Sequence, residues 1–219
     1  PLVTPTLQIA KTVGTGYENA ESVYSKFTSD GNMLAVLKKS SGNRDLVKLA
    51  PDGTVLWATM LGNESFFLGT LHELIDDIYL IFSNEKVYVI DKTGNKLKEL
   101  PLGIMDCHKN GNNIYLVNMD YCYQLDLNYS ITDSFPNTHK PPFGPFFIGS
   151  EQYTALFRKD GRIQYFYQDS IKSSALHIIT CTTNNAFLDS VSIQSGYGFR
   201  TFKSSNDNII ITRGLWGGL

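Results

Sequence analysis

Short alternating apolar strands closed by Asp-Gly or Asn-Gly turns recur along this chain, and that repetition limits what it can fold into. The clearest copy runs Ser25-Lys-Phe-Thr-Ser-Asp-Gly-Asn-Met-Leu-Ala-Val-Leu-Lys-Lys39. It continues as Asp45-Leu-Val-Lys-Leu-Ala-Pro-Asp-Gly-Thr-Val-Leu-Trp57. An antiparallel unit of this size cannot bury its own apolar face, so units must pack on one another. The length of 219 residues suits one generous all-β domain.

Units read along the chain at about 22–61, 66–102, 104–135, 146–195 and 199–219, all within a single domain over 1–219. Their turns fall at Asp30-Gly31, Asp52-Gly53, Lys92–Asn95, Asn110–Asn113 and Lys159–Gly161. Helical periodicity is nearly absent. The best helix candidate, Thr70–Asp77, is too short to stand alone and runs straight into the β-rich Ile78–Phe82. In the fourth unit, Ala175–Thr180 and Ser190–Gln194 compete for the outer strand. The segment from Asp189 to Thr212 parallels that from Leu7 to Val36: strand, glycine-tyrosine turn, strand, polar turn, apolar strand. The last unit therefore stops about halfway, which reads as truncation. Leu7–Val13 reads as the outermost strand of a neighbouring unit, donated from the N-terminal side. The expected architecture is all-β, a β-propeller of roughly five or more antiparallel blades with the last one incomplete. Ring closure would leave such blades without exposed edges. The alternative, a β-sandwich, tolerates many short strands but does not explain Asp-Gly turns at matched places.

Two elements carry a family resemblance. Thr28-Ser-Asp-Gly-Asn32 followed by Lys48-Leu-Ala-Pro-Asp-Gly-Thr-Val-Leu-Trp57 resembles the repeat of bacterial β-propellers, and its closing part is similar to the repeat of pyrroloquinoline-quinone-type propellers. In that family a Trp at this place packs between adjacent blades. The likeness is good over roughly the first quarter of the chain, weaker at Val87–Asn95, and only the first unit keeps the Trp; positions near Leu97, Thr132 and Leu176 lack it. The resemblance implies a fold, and through the quinone with calcium it admits a redox enzyme.

Composition narrows the partners. A formal charge of −2 and a pI near 6.1 argue against a general nucleic-acid binder, which needs a basic face. No stretch approaches the roughly 18 consecutive apolar residues of a membrane span. The chain opens on Pro1, so its start reads as processed, and export with the signal removed gives an extracytoplasmic expectation. Cys107, Cys122 and Cys181 form an odd set without zinc-like spacing. Cys107 and Cys122 fall on strands separated by a third, roughly 9–10 Å apart, too far to bridge. Buried free thiols are expected.

No catalytic set converges in the sequence. Gly14-Thr-Gly16 lacks the third glycine and the helix of a dinucleotide loop. Asp52, Asp91 and Asp160 are turn residues, and the adjacent Asp76 and Asp77 would point apart. His72, His108, His139 and His177 are scattered over different units without metal-site spacing. The unusual stretch is Pro136–Phe147, whose four prolines forbid ladder pairing. It reads either as a rigid inter-blade spacer or as part of a ligand rim. The rim reading places His139, Lys140 and Phe143 beside Arg44 and Arg162.

The expectation is a non-catalytic binding or scaffold module that presents one loop face to a protein, peptide or glycan. It needs no cofactor and acts as a monomer or as part of a larger chain. The alternative is an enzyme using the central funnel, either a quinone-dependent oxidoreductase or a polysaccharide-cleaving enzyme.

Overall fold

The computed structural model describes residues 21–39, 41–63, 71–74, 78–139, 153–168, 175–194, 199–203 and 209–213. The chain divides into two compact units, Pro1–Leu100 and Pro101–Leu219. The strand proposed at Leu7–Val13 lies outside the described residues.

The first unit holds two four-stranded sheets. One contains β1 (Glu21–Phe27), β2 (Met33–Lys38), β3 (Arg44–Leu49) and β4 (Val55–Gly62). The other contains β5 (Leu71–Leu74), β6 (Ile78–Phe82), β7 (Val87–Asp91) and β8 (Lys96–Leu100). The second unit repeats the plan with β9 (Asp106–Asn110), β10 (Asn113–Val117), β11 (Tyr121–Leu125) and β12 (Ile131–Pro136). It continues with β13 (Tyr153–Phe157), β14 (Ile163–Gln168), β15 (Ala175–Cys181) and β16 (Phe187–Gln194), then a two-stranded pair, β17 (Phe199–Lys203) and β18 (Ile209–Arg213). Every sheet is an antiparallel meander in chain order.

No helix occurs among the described residues. The helical candidate near Thr70–Asp77 is corrected: Leu71–Leu74 is strand β5, paired Leu71 to Ile81 and Leu74 to Ile78. So few residues cannot offset the cost of a helical nucleus, whereas an adjacent apolar strand gives them ladder partners at once. The competition in the fourth sheet is also settled. Ala175–Cys181 is its third strand and Phe187–Gln194 its outer one. Leu176, at one of the positions compared with the family Trp, is therefore not on an outer strand.

Burial decides between stacked blades and a two-sheet sandwich. In a sandwich each sheet has one buried and one wet face, so every strand should alternate. Here Leu34, Ala35, Val36 and Leu37 of β2 are all buried, as are Tyr79–Phe82 of β6 and Val87–Ile90 of β7. Middle strands covered on both faces belong to sheets packed on both sides, as in a β-propeller blade. The outermost strands β4 and β8 are mostly exposed or half-buried.

The recurrent turns share one geometry. The residue that opens the turn accepts from the third residue on and donates to the carbonyl of the fourth, as at Ala50–Thr54, Asp91–Asn95 and Arg158–Arg162. Such a three-residue loop puts its last residue in the left-handed region. Glycine fills that place in most copies, but the Asp126–Ser130 turn puts Tyr129 there at φ 58°. Tyr129→Gly is therefore expected to stabilise the chain by about 1 kcal/mol, read as a rise in the urea midpoint at unchanged slope. An unchanged or lowered midpoint would refute the strain argument.

All three cysteines are buried free thiols, and Cys107 on β9 is separated from Cys122 on β11 by β10. Burial pushes the Cys122 thiol up to about 12 and that of Cys181 up to about 11. Thiolates, the reactive form, are scarce there at neutral pH.

Candidate functional site

Polar chemistry concentrates where neighbouring sheets meet. In the first unit, Lys48 stands on β3 two residues after Leu46, so the strand's period aims it at the apolar face shared with the next sheet. It is only 4% exposed. Its ammonium donates to Asp30 Oδ2 at 2.6 Å and to the Tyr79 hydroxyl at 2.8 Å. Asp30 also accepts from Thr28 Oγ1 and from the Asn32 amide. The bond from Lys48, helped by that from Thr28, holds the Asp30 carboxyl far below the ordinary carboxylate range. Burial pulls Lys48 down, but its bonds to Asp30 and Tyr79 outweigh that and hold the ammonium above its usual value. Beside this network, Ser29 donates through its amide and hydroxyl to the two oxygens of Glu73 on β5, at 2.7 and 2.8 Å.

Trp57 on β4 closes the outer part of the same interface. Its Nε1 donates to the Lys92 carbonyl at 2.8 Å, and its ring lies over Gly94 and packs on the core formed by Leu34, Leu46 and Tyr79. This is the inter-sheet position that the family resemblance implied for the residue.

The second unit joins its sheets differently. Buried Asp106 on β9 accepts from its neighbour Cys107 and, through Oδ2, from the Phe157 amide at the end of β13 at 2.7 Å. Asn185 sits in the left-handed place of its turn at φ 59°. Its Oδ1 accepts from the Tyr165 hydroxyl at 2.6 Å and its Nδ2 donates to the Phe135 carbonyl at 2.6 Å. Burial first, and then nearby Cys122 and Cys181, raise the Tyr165 phenol, so it stays a donor. None of these groups stood out in the sequence. Two signals could have found them: a lysine on the inward register of β3, and a tyrosine recurring in the second strands Ile78–Phe82, Asn113–Val117 and Ile163–Gln168.

The described rim candidates each have local partners. Arg44, in the first unit, opens β3 and donates from Nη1 to the Asn63 carbonyl at 3.0 Å. His139 follows β12, where its amide donates to Asn137 Oδ1 and its ring lies 5.4 Å from that of Phe187. Lys140 and Phe143 lie outside the described residues. Arg162 is engaged within its own turn: Nε donates to Asp160 Oδ2 at 2.8 Å, and Nη2 contacts the same oxygen. That pairing pulls the Asp160 carboxyl down and the guanidinium up. Arg162 precedes Ile163, which pairs with Cys181, and Cys181 pairs with Phe187. Arg162 and the His139–Phe187 contact thus border the same end of the fourth sheet, on strands about 9–10 Å apart. Among the described residues no three His, Cys, Asp or Glu side chains gather as a metal site.

Four exposed apolar side chains stand on the single strand β16. Phe187, Leu188, Val191 and Ile193 are 51, 47, 50 and 43% exposed. Val191 pairs with Ile178 and Ile193 with Leu176, and both partners belong to a buried cluster with Phe166. The exposed pair therefore carries an apolar face out to the border of its sheet.

No family model and no curated protein matches the chain. Solved structures do resemble it. The Neurospora crassa Pan2 WD40 domain is 12% identical with a TM-score of 0.57, over 94% of this chain and 61% of that one. The Myceliophteria thermophila Cps50 (Swd1) β-propeller domain is also 12% identical with a TM-score of 0.57, over 93% and 65%. The AfRom2 CNH domain is 10% identical with a TM-score of 0.57, over 90% and 62%. The chain thus spans between 61 and 65% of each of these domains. At this identity the likeness shows the propeller fold alone. No helix among the described residues is long and apolar enough to cross a membrane.

Proposed function

We propose that the chain is a non-catalytic binding module that presents the border of its fourth sheet to a polypeptide partner. The observation that carries this reading is the row of exposed apolar side chains on β16, in a sheet whose interior is otherwise well covered. Contiguous apolar exposure of this kind marks an interaction surface far more often than single exposed residues do. The prominent polar groups support it from the other side. Lys48, Asp30, Tyr79, Glu73, Asp106 and Asn185 are engaged in joining sheets, and Arg162 in closing a turn. The apolar lining suits a polypeptide better than a glycan, which needs several side-chain hydrogen bonds around each stacked ring.

Selection of short random peptides against the folded chain tests the reading. Binders that compete with one another at micromolar affinity are expected, with no turnover on glycosidic, ester or quinone-supplemented alcohol substrates. A reproducible rate that one substitution abolishes, or the absence of any peptide binder, would overturn it.

A further inference from the structure

We infer that β16 takes its partner by strand addition, an extended polypeptide segment pairing antiparallel with its free outer edge. This rests on the binding-module reading and specifies the form of the partner. Among the described residues β16 pairs only with β15, so one row of its amides and carbonyls faces outward. An edge of that kind templates another strand unless something blunts it.

The other outer strands are blunted. β8 carries Lys96, Lys98 and Glu99 within its five residues. β12 ends on Pro136, which has no amide to donate. β4 breaks register twice against β3. β16 is less blunted over Asp189–Gln194: its single irregularity lies before that stretch, opposite Thr180 and Cys181, it holds no proline, and its one charge, Asp189, accepts from the Ser190 amide at 2.7 Å. Among the described strands it is also, with β4, one of the two eight residues long.

The side chains define the segment that fits. Val191 and Ile193 share one face, and an added strand would lay alternate side chains beside them. On the other face stand Ser190 and Ser192, the latter bonded through Oγ to His177 Nδ1 at 2.8 Å, which leaves room for small polar residues. Asp189 is the one charged residue from Phe187 to Gln194, so a basic residue belongs opposite it. The fitting partner is an extended segment of β-branched residues alternating with small polar ones and carrying one Arg or Lys.

The probe is a soluble peptide alternating Val and Thr with one central Arg, added to the whole chain. Fluorescence anisotropy reads binding, and hydrogen exchange reads the β16 amides. Binding should slow alternate amides within Asp189–Gln194 by at least about tenfold, the scale of a newly formed ladder bond. N-methylating the peptide at alternate residues should weaken it by at least about tenfold in one phase and little in the other, since only one set of amides faces the edge. Val191→Asp, at an exposed position, should weaken binding while leaving the far-ultraviolet spectrum unchanged.

Insensitivity to N-methylation, or no protection on β16, would overturn strand addition. If library peptides then bind and protect other residues, the binding-module reading survives without it. If no peptide binds at all, both fall. If β16 amides are already protected without peptide and the chain sediments as a dimer, a second copy occupies the edge and the proposal fails.

Discussion

Replacing Lys48 with methionine is expected to cost about 2–4 kcal/mol in urea unfolding, with the slope unchanged. Methionine keeps most of the stem's volume, so the loss isolates the ammonium. Without it the Tyr79 hydroxyl, on a fully buried residue, loses the ammonium that donates to it, and Asp30 loses its strongest side-chain donor. Adding Tyr79→Phe should then recover about 1 kcal/mol, because the orphaned hydroxyl disappears with it. A loss below about 0.5 kcal/mol in the single variant would show the network to be ornamental.

The same network sets a pH signature. Asp30 is depressed in the folded chain, so its contribution is present above the unfolded carboxyl value near about 4 and is lost as pH falls toward its folded one. Lys48 is raised, so its contribution is present below the unfolded value of about 10.4 and disappears as pH climbs through the folded one. Lys48→Met should flatten both limbs of the stability profile. Asp30 is considerably exposed, so solvent screening limits the acid limb.

Gly94→Ala is expected to cost about 2–4 kcal/mol, well above what its backbone alone explains. A Cβ there would sit 2.8 Å from Trp57 Cδ2, and the residue has φ +89°. Gly42 has the same φ of +89° but nothing within 4 Å of its would-be Cβ, so Gly42→Ala should lose only the conformational part, about 1 kcal/mol. The difference measures the contact with Trp57. Trp57→Ala should cost stability by itself, through the lost bond to Lys92 and lost packing, yet make Gly94→Ala cheaper in its background. Equal costs at Gly94 and Gly42 would mean that the indole yields freely.

Most strand positions were legible because turn chemistry is local. An Asp-Gly pair reports its own backbone, and the strands follow on either side. The first sheet, with its period-two pattern and Trp57, was read nearly as it stands. Strand β5 was not, because Leu71-His-Glu-Leu74 shows two leucines at a spacing that suits a helical turn, and only pairing with Ile78–Phe82 decides otherwise. The outer strand of the fourth sheet was ambiguous because β15 and β16 are both β-rich and the turn between them carries Asn185 where glycine would have announced it. The pairing of one rim candidate was hidden for a different reason. Arg162 looks like a free cation in sequence, but Asp160 lies two residues earlier in the same turn and neutralises it. Exposure on β16 had no local signal at all, since an apolar strand reads the same whether a neighbour covers it or not.

The unlike fastenings between sheets have a consequence for assembly. Chains built from near-copies risk docking a segment beside the wrong copy, where the apolar surfaces match well enough to linger. Here a mispaired first sheet would strand the Lys48 ammonium away from Tyr79, and a mispaired third would leave the Asp106 carboxylate facing no Phe157 amide. Each error buries a polar group without a mate, which drives the misassembled form to reopen. The price of abandoning strict repetition is thus returned as fidelity in the order of assembly.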